Sequence, residues 1–126
     1  MAQNIQFTKS HQWVIFSDDG DSATVGITDY AQQELGDIQS VNLPEPGEGF
    51  MTGDVFGDLE GDATVLDLYM PLSGTIAAIN DDIVTAPESV NDDPYEAWFV
   101  EVTNIEDVDE LLSEDEYLAF IQSGDE

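Results

Sequence analysis

Val55-Phe56-Gly57-Asp58-Leu59-Glu60-Gly61-Asp62-Ala63-Thr64-Val65-Leu66-Asp67-Leu68-Tyr69 reads as two strands folded back on each other. Val55–Leu59 and Val65–Tyr69 are short, rich in β-branched, aromatic and aliphatic residues, and set off by Gly and Asp, as hairpin strands are. The five residues between them predict a turn at Gly61-Asp62, because glycine tolerates the positive φ that tight hairpin turns demand. Ala63 lies just after it, within the connection.

Working outward, Gly, Pro and Asp/Asn pairs cut the rest of the chain into similarly short pieces. Trp13–Phe16 and Ala23–Ile27 predict a second hairpin around Ser17-Asp18-Asp19-Gly20-Asp21. Thr28 is suited to cap a helix over Asp29–Leu35, with Asp29 in its first turn and Gly36 as its stop. Val41 and Leu43 alternate with polar neighbours up to the turn signal Pro44-Glu45-Pro46-Gly47. Thr75–Ile79 follows the turn at Ser73-Gly74, and a long acidic loop closes on Asn91-Asp92-Asp93-Pro94-Tyr95 before a last strand, Trp98–Val102. Ile105, Val108, Leu111 and Leu112 then fall on one helical face. Ser113 and Glu116 make a capping box opening another helix with Tyr117, Leu118 and Ile121. This predicts one domain over residues 1–126. It is mainly β, a sandwich or flattened barrel with one early helix and two C-terminal helices over about 105–122.

The charge balance is one-sided. One Lys and no Arg face 29 Asp and Glu in 126 residues, a formal net charge of -28. The charged fraction, 24 %, is ordinary, since a typical soluble domain has about 25 %, shared between the signs. Basic residues have been lost more than acidic ones added. That reads as a chain redesigned to be depleted of basic residues, since salt-adapted proteins add carboxylates and usually keep basic partners. A globular chain of this mass exposes about 6,600 Å², so evenly spread carboxylates would stand about 15 Å apart. With 41 % apolar residues the chain can still bury a core. The charge argues against nucleic acid as a partner, because phosphates cannot be neutralised. It argues equally against anionic membranes and for loose, non-specific cation binding. With no cysteine there is no disulfide or thiolate site. No signal-like segment or membrane-spanning run is present, so a cytoplasmic monomer is expected.

Candidate chemistry is sparse. His11 is the only histidine, and with no identifiable partner it reads as a structural residue beside the first strand. Asp54, Asp58 and Asp62 recur every four residues, but strands and turns do not make that spacing converge. Asp18-Asp19-Gly20-Asp21 lacks the offsets of a calcium loop. No specific metal site is expected. Trp13, Trp98, Phe56, Phe99 and Tyr69 read mostly as core. No nucleophile triad, phosphate loop or carboxylate pair is legible, so the chain is not expected to be an enzyme.

Six segments in order carry a resemblance. They are Ser10-His11-Gln12-Trp13-Val14, Val25-Gly26-Ile27-Thr28-Asp29-Tyr30-Ala31-Gln32, Glu34-Leu35-Gly36-Asp37-Ile38, Leu43-Pro44-Glu45-Pro46-Gly47, Pro71-Leu72-Ser73-Gly74 and Asn91-Asp92-Asp93-Pro94-Tyr95. Together, from about Phe7 to Ile121, they resemble the H protein of the glycine cleavage system. The resemblance implies a lipoyl-domain-like barrel-sandwich hybrid that carries lipoate on a hairpin-tip lysine. The arm moves an aminomethyl group and electrons among the glycine decarboxylase, the aminomethyltransferase and the dihydrolipoamide dehydrogenase. The family's pattern around that lysine is approximately Glu-Ser-Val-Lys-Ala. Aligned on Asp67, Tyr69 and Pro71, it falls on Glu60-Gly61-Asp62-Ala63-Thr64, with Ala63 at the lysine position. A methyl group forms no amide with lipoate, so no cofactor is expected on this chain. Lys9, in the N-terminal segment, lies far from the hairpin in sequence. The residue after His11 is usually glutamate in the family and is Gln12 here. The resemblance implies Ser10, Gln12, Tyr30 and Asp67 as the inherited groove for the arm. Docking to the three enzymes is doubtful with so anionic a surface. Two other readings remain open: an acidic decoy or adaptor for a basic protein, and a halophile's degenerate carrier.

Overall fold

In the computed structural model, which describes residues 5–8, 11–17, 20–94, 97–108 and 111–123, nine strands and four helices follow one another. They are β1 (Ile5–Phe7), β2 (Gln12–Phe16), β3 (Ser22–Ile27), α1 (Asp29–Leu35), β4 (Ile38–Asn42), β5 (Gly49–Phe50), β6 (Val55–Gly61), β7 (Val65–Tyr69), β8 (Gly74–Ile79), α2 (Asp81–Thr85), α3 (Glu88–Asp92), β9 (Val100–Thr103) and α4 (Glu114–Ser123). One sheet has the order β1-β2-β3-β9-β8-β5 and the other β4-β6-β7, with every pairing antiparallel. Their facing sides bury Val14, Val25, Ile27, Val41, Leu59, Leu68, Ile76 and Val102 in one cluster, closed by Leu35 of α1 and Phe99. A second cluster of Phe7, Trp13, Leu112 and Tyr117 lies under α4. This is the mainly-β lipoyl-domain-like architecture expected. The accessible surface, 6615 Å², matches the value expected for a globule of this mass.

Local chemistry explains most boundaries. Thr28 accepts a hydrogen bond from the Ala31 N–H at 3.2 Å, satisfying an orphan donor of α1. Ser113 and Glu116 form the reciprocal box: the Ser113 N–H donates to Glu116 Oε1 at 2.9 Å, and the Glu116 N–H to Ser113 Oγ at 3.2 Å. Acidic residues occupy the first turn of all four helices and no basic residue occupies a last turn. The helix dipoles are therefore complemented at one end only. Ser113→Ala should cost about 1 kcal/mol, a drop of a few degrees in Tm measurable by a circular dichroism melt.

Two parts of the chain depart from the sequence reading. Ile105–Leu112 forms no helix among its described residues. Val108 bridges to Leu72 and Leu112 to Phe7 as isolated antiparallel pairs. The helical spacing of the four apolar residues arises because an extended segment buries Leu112 on the second cluster and packs Ile105 and Leu111 on the first. Only one C-terminal helix, α4, is present there. The acidic stretch after β8, expected as loop, instead holds α2 and α3. Asn80 caps α2 by accepting from the Asp82 N–H at 3.2 Å, and Ile83 and Val90 anchor the two helices in the core. At five residues each, they are too short for an amphipathic period to declare itself. Strands β1 and β5, of three and two residues, also gave no pattern long enough to read.

Trp13, Phe56 and Phe99 are buried as expected. Trp98 packs on the second cluster, and Tyr69 is the exception, exposed on β7. Trp13 Nε1 donates to the Pro94 carbonyl at 3.0 Å. Its indole lies over Gly26, where a Cβ would stand 2.4 Å from the ring. Glycine is required there by close approach.

Candidate functional site

The β6–β7 hairpin expected from the sequence forms, with Asp58 opposite Asp67, Leu59 opposite Leu66 and Glu60 opposite Val65. Its tip differs in detail. The Gly61 N–H donates to the Thr64 carbonyl at 2.9 Å, so the two turn residues are Asp62 and Ala63. Gly61 is not among the positive-φ residues, so its value is space. A Cβ there would lie 2.4 Å from the Leu35 carbonyl oxygen, so glycine lets the hairpin lie flat on the end of α1.

The tip is pinned by its backbone. The Ala63 N–H donates to the Leu35 carbonyl and the Asp62 N–H to the Asp37 carbonyl, both at 3.0 Å. Gln39 Nε2 donates to Asp62 Oδ1. The segment receiving these bonds is held from behind by Asn91. Its Oδ1 accepts from the Ile38 N–H at 2.8 Å, and its Nδ2 donates to Gln32 Oε1 at 2.8 Å and to the Gly36 carbonyl at 2.9 Å. Asn91 thus sets the height of the ledge on which the turn rests. Its role could be noticed only in the assembled fold, since Asn91 is more than fifty residues from Ile38. The side chain of residue 63 stays exposed at the tip.

Beside the tip, a cleft of about 160 Å³ runs between α1 and β7, lined by His11, Tyr30, Ala31, Glu34, Leu35, Thr64 and Leu66. Tyr30 packs on His11 with ring centroids 4.7 Å apart. His11 is half-buried with φ of 67°, and a 2.8 Å hydrogen bond joins its Nδ1 to the Tyr117 hydroxyl. That hydroxyl is also 2.8 Å from Thr28 Oγ1. His11 is therefore fastened to α4 and to the cap of α1, which holds one wall of the cleft in place. The structural reading of His11 stands, with a second aspect: its ring faces the cleft.

Of the four residues implied as a groove, Tyr30 lines the cleft. Ser10 lies outside the described residues, as do Lys9, Asp18, Asp19 and Tyr95. Gln12 is not part of the lining. It is wholly buried, and its amide spans the seam between the two sheets. Its Nε2 donates to the Tyr69 carbonyl at 2.7 Å and its Oε1 accepts from the Tyr69 N–H at 2.8 Å. A carboxylate could accept from that N–H but could not donate to the carbonyl. Asp67 stands on the outward face of β7 with Val65 and Tyr69, all exposed, whereas Leu66 faces the cleft. Strand alternation puts Asp67 on the other side. Among the described residues no three His, Asp or Glu side chains are placed to hold a metal ion. Gln12→Leu should leave both polar groups of Tyr69 without their partner and cost about 1–3 kcal/mol. Urea denaturation checks this. An unchanged midpoint would remove Gln12 from the seam.

The comparisons with known proteins bear on the fold and the family. The solved H protein of the glycine cleavage system from Mycobacterium marinum superposes with a TM-score of 0.87 at 36 % identity, covering 98 % of this chain and 99 % of its own. Among curated relatives, the glycine cleavage system H protein of Lachnoclostridium phytofermentans is 46 % identical over 120 residues, 95 % of this chain and 94 % of that protein. The Oceanobacillus iheyensis H protein is 46 % identical over 125 residues, covering 97 % and 98 %. The family model described as Glycine cleavage H-protein matches residues 5–124. The chain belongs to the glycine cleavage H-protein family, whose members are carriers rather than enzymes. Among the described residues no helix is long and apolar enough to cross a membrane.

Proposed function

We propose that this chain keeps the carrier architecture of its family but cannot be loaded. The observation that carries the proposal is the exposed methyl group of Ala63 at the tip of the β6–β7 hairpin, where the family attaches lipoate to a lysine. The residues present do not fit that group. No described residue is a Lys or Arg, and amide formation needs a nucleophilic nitrogen at that exposed turn. No transfer step is available without it. The cleft beside the tip, with Tyr30 and His11 as walls, is the inherited shelter for an arm; with Asp67 on the far face and Gln12 in the seam, its polar lining is reduced.

The charge supports a reading of the chain as a scaffold stripped of basic residues. A net charge of -28 would repel any partner with an acidic docking face and favour basic surfaces indiscriminately. Mass spectrometry of the intact chain after exposure to a lipoate ligase tests the proposal. Any lipoyl addition to the unaltered sequence overturns it.

A further inference from the structure

We propose that the free edge of β7 takes up an extended basic segment of a partner protein by strand addition. The register supplies the first argument. The bond from the Gly61 N–H to the Thr64 carbonyl makes that pair a hydrogen-bonded one. Bonded and non-bonded pairs alternate in an antiparallel ladder. Leu66 and Leu68 therefore spend their backbone groups on β6, while Val65 and Asp67 turn theirs outward, away from β6. β7 is the last strand of its sheet. Among the described residues no backbone partner is found for Val65 or Asp67 on that side.

The next residue in the same phase shows what such an edge accepts. Tyr69 turns its N–H and carbonyl the same way, and both are met by the side-chain amide of Gln12. The amide does at one position what a neighbouring strand would do at three. Two positions remain open, between this plug and the turn.

The surroundings specify the occupant. Residues directly opposite one another in a sheet share a face. A side chain paired with Asp67 would thus lie on the outward face, where Asp58 stands across from Asp67 and Glu60 across from Val65. Two carboxylates directly opposed, with no cation among the described residues, destabilise the ladder and are relieved by a basic side chain. A side chain paired with Leu66 would enter the cleft beside Tyr30 and Leu35. The matching segment alternates basic, apolar, basic. A second copy of this chain would bring its own 29 acidic residues to the edge and is disfavoured. The test uses the unaltered chain, whose residue 63 is alanine, and reads peptide binding at β7 rather than a mass gain, so its failure is distinguishable from failure of the loading test.

The experiment titrates the ¹⁵N-labelled chain with the capped peptide Lys-Ile-Lys-Ile-Lys and with its scramble Lys-Lys-Lys-Ile-Ile, in about 20 mM salt where screening is weak. The alternating peptide should bind about tenfold tighter, shift the Val65 and Asp67 amides, and slow their hydrogen exchange. Asp67→Pro removes a donor that β6 does not use, a position where an edge strand tolerates proline, and should abolish the tenfold preference. Asp67→Asn should weaken both peptides and keep it. Equal binding of the two peptides, shifts centred away from β7, or unslowed exchange at Val65 and Asp67 in the unaltered chain would each overturn the proposal. The exchange measurement decides the matter even if Asp67→Pro fails to fold. Concentration-dependent self-association through this edge without peptide would overturn it too.

Discussion

Incubated with lipoate ligase, lipoate and ATP, the unaltered chain is expected to keep its mass, whereas Ala63→Lys should gain one lipoyl group. The contrast is all or none because it rests on a missing bond-forming atom. The structure indicates how little else must change. The Cβ of residue 63 already points to solvent, and the turn is held by the Ala63 and Asp62 N–H groups, which a lysine retains. Returning Gly61 to the family's serine is a different matter. Its Cβ would sit 2.4 Å from the Leu35 carbonyl oxygen and lift the tip from its ledge, so the single substitution is the cleaner test. Lys9→Gln in the Ala63→Lys background should leave the modification intact. Modification of the unaltered chain, or its loss on Lys9→Gln, would show that the amine used is not the one at the tip.

The second large effect is on stability. The 29 carboxylates spread over 6615 Å² average about 15 Å apart. In water a pair at that distance repels by about 0.3 kcal/mol. Each charge has several neighbours, so the folded chain carries repulsion on the order of 10 kcal/mol when the screening length is about 30 Å, as in 10 mM salt. At 1 M the screening length falls to about 3 Å and nearly all of it disappears. The unfolded chain spaces its charges more widely and loses less. Net stabilisation of several kcal/mol should raise Tm by about 10 °C or more between 10 mM and 1 M NaCl. Circular dichroism melts across that series measure it. A flat series would mean that the charge pattern, not only the charge count, has been arranged to avoid repulsion.

The hairpin, the cap and bounds of α1, and the capping box of α4 were legible because each is local. Caps need side chains two or three residues away, and hairpins need facing runs and a break between them. Ile105–Leu112 was misread because apolar spacing alone cannot tell a helical face from an extended segment touching two clusters. The candidate site was legible only as a position: Ala63 at a tip could be aligned. That Asp67 faces outward and Leu66 faces the cleft was implicit in strand alternation once the register was known.

The amino-acid sequence by itself determined the charge, the absence of an amine at residue 63 and the antiparallel hairpin that displays it. These follow from residue identity and neighbour-to-neighbour rules. Only the tertiary structure decided that Gln12 seals a seam, that Asn91 sets the ledge under the turn, and that Gly61 is needed for room rather than for φ. Each depends on atoms from segments 26 to 57 residues apart meeting within about 3 Å, and no local rule specifies where such distant backbones come to rest.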